Sequence, residues 1–350
     1  MLPFLDAVTF SIRLRHYAAL IYGRQIVIIL ANDSDGHSLF SMNEESINSV
    51  VICGPTACGK TRLAVSAALR IDGEIISADS RQVYRGMDIG TGKDLSEYHA
   101  PAGDVPYHCI DIASPDEVYT LFRYIIDFNS AFNNIRSRGK IPVIAGGTGL
   151  YIEAAVKQYD VSEVPEDKEF RDSLMAEDSG NLAERLEKIS PDLYSRTDLT
   201  SKKRIVRALE IARAGSSGSV SAHAERTEVR PVIAAVSYPR ETVIRRIDER
   251  LESRLAEGMI DEVRRLIDSG IGRERLMMLG MEYSCIGKHL FGECSYDAMV
   301  EDLRTEIHRL AKRQMTWFRG MERRGLRVNW IEDNHEERLH ELLLSHGFEI

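Results

Sequence analysis

Apolar and polar positions along this chain switch between two periods. Residues 49–53 (S-V-V-I-C) form a short β-branched run that leads through a glycine-rich loop into residues 61–71, where apolar positions recur at helical spacing. The strand pattern returns at 74–78, 107–112 and 141–145, and a helical stretch covers about 120–137. Strands alternating with helices predict an α/β fold, a parallel sheet flanked by helices.

From 162 to 214 the sequence turns charged and helix-prone, with turn signals at Asp178-Ser179-Gly180 and Ser190-Pro191-Asp192 and no run of strand character. A small all-helical insert is expected there. Residues 230–237 return to strand character and rejoin the sheet. A long amphipathic helix is then predicted from Val243, Ile244, Ile247, Leu251, Leu255, Met259, Val263 and Leu266, whose spacing makes one core-facing stripe. Another helix covers about 295–319, and the last twenty residues read as a peripheral strand and helix. The division expected is a core of 46–161 and 215–335, the insert at 162–214, a tail helix at 336–350, and a poorly structured extension at 1–45.

Bulk composition changes this picture little. The chain has 350 residues, 43% hydrophobic and 28% charged, as a globular protein with a real core would have. Residues 18–31 are largely apolar, but Arg24 interrupts them, so no run reaches the ~18–20 residues of a membrane span. No signal peptide is evident. Five cysteines without a C-x-x-C pair favour a reducing compartment, and a cytoplasmic monomer that does not enter membranes is expected. A formal charge of -9 argues, alone, against nucleic acid, yet net charge averages over faces. Lys202, Lys203, Arg204 and Arg207 form one basic cluster, and the stretch from Arg304 to Arg327 holds another.

The candidate chemistry starts at Gly54-Pro55-Thr56-Ala57-Cys58-Gly59-Lys60-Thr61, which fits G-x-x-x-x-G-K-T without a gap. Its glycines allow successive backbone N–H groups to face a phosphate, Lys60 adds a point charge, and the Thr61 hydroxyl is placed to hold Mg²⁺. The preceding strand and following helix supply the context of a P-loop unit, so the fold expected is P-loop NTPase-like. A nucleoside triphosphatase would carry a second acid at the end of a neighbouring strand. The 141–145 strand runs instead into Gly146-Gly147-Thr148-Gly149. The strand ending at Ala78 does deliver an acid, Asp79, which can be a Mg²⁺ ligand, a general base or the N-cap of a following helix. Asp79 and Thr148, both just past strand ends, are expected at the ligand crevice.

Five segments in order, G-P-T-A-C-G-K-T at 54–61, S-A-D-S-R-Q-V-Y-R-G-M-D-I-G-T-G-K at 77–93, A-G-G-T-G-L-Y at 145–151, K-R-I-V-R-A-L-E at 203–210 and A-K-R-Q-M-T-W-F-R at 311–319, resemble the tRNA dimethylallyltransferases. The resemblance runs from about 49 to 330. It implies transfer of a dimethylallyl group from dimethylallyl diphosphate to N6 of adenosine 37 in tRNA, beside the anticodon, with release of diphosphate. It further implies that Asp79 takes the N6 proton, that the loop with Lys60, Thr61 and Mg²⁺ holds the diphosphate, and that Arg250 contacts it. Ser80, Arg81, Gln82 and Thr148, with Asp79, are implied on the acceptor side, and Lys203, Arg204 and Arg207 at the anticodon loop.

The chain departs from that pattern in three places. Gly280-Met281-Glu282-Tyr283 stands where Gly-Tyr followed by Lys or Arg is usual, so a basic residue is lost and Tyr283 is the candidate replacement for the aromatic. His308 replaces a common arginine, and Cys58 a serine. Other readings stay open: an isopentenyltransferase acting on free AMP, ADP or ATP, a P-loop small-molecule kinase, or a tRNA-binding paralogue without catalysis.

Overall fold

A computed structural model describes residues 47–159, 161, 163–164, 166–216 and 226–349, together with the backbone of four short strands nearer the start. Residues 1–48 form a unit of their own, in which the strands Ile12–Leu14, Tyr17–Tyr22, Gln25–Leu30 and Leu39–Ser41 pair antiparallel in that order. Beyond that pairing, the poorly structured extension expected at 1–45 lies outside the described residues.

In the second unit, six strands form one parallel sheet. They are β1 (Ser49–Cys53), β2 (Gly73–Ser77), β3 (Tyr107–His108), β4 (Ile141–Gly146), β5 (Pro231–Val236) and β6 (Val328–Ile331), in the spatial order β6-β5-β1-β4-β2-β3. Every residue of β1 is buried because both faces of the sheet are covered. Val50 and Ile52 point towards the helices Lys60–Arg70 and His335–Ser345, whereas Val51 and Cys53 point towards Leu121–Ser137 and Gly149–Lys157. A P-loop-like α/β sandwich results, as the sequence predicts.

The stretch expected as an insert folds, among its described residues, as four helices, Lys168–Met175, Ser179–Ile189, Pro191–Arg196 and Lys202–Ser216. Leu174, Leu182, Leu186, Ile205 and Leu209 give it a small core of its own. One buried acid ties it together: Glu210 is paired with Arg207 and with Arg171 at 2.8 Å, and accepts the backbone N–H of Asp167 at 2.6 Å.

Three expected elements change. The third strand is only two residues long, because Cys109 (φ 61°) and Asp111 (φ 55°) leave the extended region. The single long helix is two, Arg240–Ala256 and Met259–Asp268, since Gly258 takes φ 99° between them. Val243 and Ile244, in the first turns of the first helix, are only partly buried, and the core stripe begins at Ile247. No helix starts at Asp79, so it is not an N-cap; its Oδ1 accepts the backbone N–H of Arg81 at 2.9 Å and closes a tight turn instead.

Candidate active site

The phosphate loop joins β1 to the Lys60–Arg70 helix. Its backbone takes the left-handed region twice, at Ala57 (φ 60°) and Gly59 (φ 78°), which turns the chain so that the helix N-terminus faces outward over the carboxyl ends of the strands. Lys60 folds back towards the carbonyl of Pro55 at 3.5 Å.

The ends of β2 and β4 meet closely beside this loop. A Cβ on Gly146 would stand 2.2 Å from the Ala78 carbonyl oxygen, so no side chain fits at the position where a strand-end acid would otherwise sit. Thr148 crosses between the two ends: its N–H donates to Ala78 O at 3.1 Å, and its hydroxyl accepts the N–H of Ser80 at 3.0 Å. Ser77 and Gln82 are hydrogen bonded at 3.0 Å, and Gln82 donates to Gly92 O at 3.1 Å. Asp79 is thus held by the backbone on both sides while remaining partly open to solvent.

The loop at 88–93 is fixed from below. Glu262, buried, accepts the N–H groups of Asp88, Ile89 and Gly90 at 2.7–3.0 Å and the Tyr283 hydroxyl at 2.7 Å. Lys93 is fully buried, held by Tyr84 O and Asp88 at 2.7 Å and by Asp111. Tyr283 therefore does not replace the missing aromatic of an acceptor-binding surface: it is 0% exposed and its hydroxyl is spoken for.

These parts enclose a cleft of about 400 Å³ lined by Thr56, Lys60, Thr61, Asp79, Ser80, Arg81, Gln82, Thr148 and Arg250. A second hollow of about 520 Å³ shares Lys60, Thr61 and Arg250 with it and adds Ala57, Cys58 and Gly59, whereas Gly54 and Pro55 are buried and line neither. Arg250 is ion-paired with Asp94. Lys203, Arg204 and Arg207 lie on the insert and line neither hollow. Lys203 and Arg204 are exposed, Arg204 reaching Asp198 at 2.7 Å, but the Arg207 guanidinium is turned inward to Glu210 and Val164 O.

Several lining residues were not singled out from the sequence. Gln314 accepts the N–H of Thr56 at 2.8 Å and donates to Gly147 O at 3.0 Å, so helix Tyr296–Arg323 clamps the phosphate loop to the end of β4. Trp317, one turn on, packs against Gly149, where a Cβ would come within 2.2 Å of the indole. Both lie in the 311–319 motif, which carried the signal without saying which side chains turn inward. Arg254 also lines the cleft, as do Glu282 and Arg313, which the sequence shows as a departure from the family pattern and as part of a basic stretch. Burial pushes the Glu282 carboxyl up, Arg254 opposes that, and Asp79 adds to it.

Mg²⁺ can be tested against this arrangement. The Thr61 hydroxyl faces the cleft without a hydrogen bond among the described residues, and no group of three or more His, Cys, Asp or Glu is placed there to cage a metal. That donor set fits an ion held by one hydroxyl, waters and substrate phosphate oxygens.

Fold and site define a P-loop-like α/β protein in which the loop and a backbone-held carboxylate face one cleft. Residues 82–321 match the family model described as IPP transferase, and the chain belongs to that family. It is 48% identical over 286 residues to tRNA dimethylallyltransferase 2 of Porphyromonas gingivalis, covering 81% of this chain and 93% of that one. It is 46% identical over 296 residues to tRNA dimethylallyltransferase 1 of Syntrophus aciditrophicus, covering 85% and 97%. Among solved structures, a full-length tRNA isopentenylpyrophosphate transferase from Bacillus halodurans superposes with TM-score 0.61 at 30% identity, over 87% of this chain and 97% of that one. A eukaryotic dimethylallyltransferase acting on tRNA shares the fold at TM-score 0.67 and 22% identity, over 87% and 79% of the two chains. Among the described residues no helix is long and apolar enough to cross a membrane.

Proposed function

We propose that this enzyme transfers a dimethylallyl group from dimethylallyl diphosphate to N6 of adenosine 37 in tRNA. The observation that carries the reading is the placement of Asp79 in one cleft with Lys60, Thr61 and Arg250, while the end of β4 offers no room for a second acid. In this reaction the bond from N6 to C1 of the prenyl group forms, the bond from C1 to the diphosphate oxygen breaks, and the N6 proton passes to the free Oδ2 of Asp79.

The loop amides, Lys60 and Arg250 stabilise the charge that gathers on the departing diphosphate. Mg²⁺, held by Thr61, would add to that charge stabilisation when bound. The target base must leave its stack to reach Asp79. Ser80, Arg81, Gln82, Thr148 and Trp317 form the walls it would meet.

A run of unpaired cations supports a polynucleotide acceptor over free AMP. Lys312, Arg319 and Arg323 recur at helical spacing on the Tyr296–Arg323 helix, are exposed, and make no ion pair among the described residues. Arg313 beside them lines the cleft. Phosphate contacts from such a stripe position a nucleic acid without reading its sequence. Lys203 and Arg204 on the insert would extend the contact.

The experiment is to incubate the purified chain with labelled dimethylallyl diphosphate and Mg²⁺, offering either bulk tRNA or AMP. Label is expected in tRNA and lost in Asp79→Ala. Label in AMP alone, or ATP turnover without prenyl transfer, would overturn the reading.

A further inference from the structure

Arg254 is left unused by the chemistry above. It follows Arg250 by one turn on the Arg240–Ala256 helix, and both line the cleft. Its side chain is only 13% exposed, and its Nη2 is buried without a hydrogen bond. Asp94 lies 4.0 Å from that nitrogen but is already engaged by Arg250.

A buried charged donor with nothing to bond is costly, so such a group is expected to have a partner in the working state. Its surroundings say what kind. The Nη2 atoms of Arg254 and Arg250 stand 1.7 Å and 2.8 Å from the point that a Cβ on Gly92 would occupy, so the two guanidinium groups lie side by side. Burial and the like charge of Arg250 together push the Arg254 pKa down to about 10, which leaves it protonated at neutral pH. Two adjacent cations sharing one carboxylate, close to Lys60 and the loop amides, call for an anion with several oxygens.

We infer that Arg254 binds the diphosphate of the prenyl donor together with Arg250 and Lys60. The inference rests on the function proposed above. A phosphodiester of tRNA has similar chemistry, but a side chain this enclosed suits a small anion inside the cleft and not the backbone of a folded RNA. The assignment also balances the cleft. Glu282 stands where the resemblance leads one to expect Lys or Arg, and Arg254 supplies a positive charge there from a different helix.

The test is titration calorimetry of inorganic diphosphate, with Mg²⁺ at fixed ionic strength, into the full chain and into Arg254→Gln, Arg254→Lys and Arg250→Gln, with tRNA binding measured on the same proteins. Arg254→Gln is expected to weaken diphosphate binding ~10- to 100-fold, the range for hydrogen bonds to charged groups, and to leave tRNA affinity within about twofold. Arg254→Lys, which keeps the charge, should recover part of the loss and decides the question if the Gln variant melts early.

Unchanged diphosphate affinity in both Arg254 variants, with Arg250→Gln impaired, would overturn this inference and leave the proposed function standing. A loss confined to tRNA would overturn it in favour of a backbone contact. Failure of the unmodified chain to bind diphosphate would sink both.

Discussion

The side chain of Gln314 accepts a hydrogen bond from the backbone N–H of Thr56 at 2.8 Å, across 258 positions of sequence. Its amide nitrogen donates to Gly147 O at 3.0 Å. One residue therefore fixes the spacing between the phosphate loop and the β4 end that carries Thr148. Gln314→Ala leaves a partly buried N–H and C=O unpaired, a cost of about 1–3 kcal/mol for each group that water cannot reach. We expect the KM for the prenyl donor to rise about tenfold or more while the KM for tRNA changes less. Steady-state kinetics varying each substrate in turn would show it, and equal changes in both would mean that the bridge holds no particular geometry.

The proposed reaction gives Asp79 two jobs that substitution can separate. One oxygen closes the turn by accepting the Arg81 N–H, which an asparagine at that position can also do. The other is free to receive a proton, which an amide cannot do at neutral pH. Asp79→Asn should therefore keep the turn and the affinity for tRNA, yet lower kcat by about 10²- to 10⁴-fold, as loss of a general base does. Asp79→Ala should lose the turn as well and fall at least as far. Single-turnover rates with saturating tRNA would decide; near-normal chemistry in Asp79→Asn would assign the residue to positioning alone.

Much of this site was legible because its parts follow local rules. A β-branched strand, the G-x-x-x-x-G-K-T loop and a helix occur within two dozen residues, and each has a short-range pattern. What stayed hidden depends on long-range packing. Arg254 sits on a helix crowded with charge, where one more arginine reads as solvated surface; only the approach of Gly92 and Asp94 shows that it is enclosed. Tyr283 reads as an aromatic in an acceptor loop, but Glu262, on another helix, draws it inward. Gly258 broke a stripe whose apolar spacing looked continuous, because periodicity carries no information about φ. Gly149–Lys157 was missed for a related reason: glycines at its start argue against a helix, while the close approach of Trp317 requires one there.

Glu74 lies near the start of β2, the strand that leads into the Asp79 turn, and it ties that strand to its neighbours. It is 2% exposed, accepts from Arg138 through both oxygens, and meets His108 Nε2 at 2.9 Å. The Arg138 hydrogen bonds, helped by His108 and opposed by burial, bring its pKa down from 4.5 to about 2. The folded state therefore favours the carboxylate. Its stabilisation is complete above about pH 4.5 and is lost as pH falls through 2. The melting temperatures of the parent and Glu74→Gln should differ most above pH 5 and converge between pH 4.5 and 2. A gap that keeps its size across that window would show that the carboxylate charge is not what holds the strand.

The insert offers a last discrimination, between residues that meet RNA and residues that hold the insert together. Lys203 and Arg207 lie one turn apart on the same helix, but Lys203 is exposed while Arg207 bonds to the buried Glu210 and to Val164 O. Removing Arg207 leaves Glu210 with Arg171 and one backbone donor, and a buried carboxylate that loses a partner is destabilising. Arg207→Ala should accordingly lower the melting temperature and make the 166–216 segment more susceptible to proteolysis. Lys203→Ala should leave both unchanged, weaken tRNA binding at low salt, and reduce the slope of log K against log salt by about one. Binding measured across a salt series, beside thermal melts of both variants, checks the pair. If Arg207→Ala melts normally and loses tRNA, its bond to Glu210 is dispensable and the residue turns outward when RNA arrives.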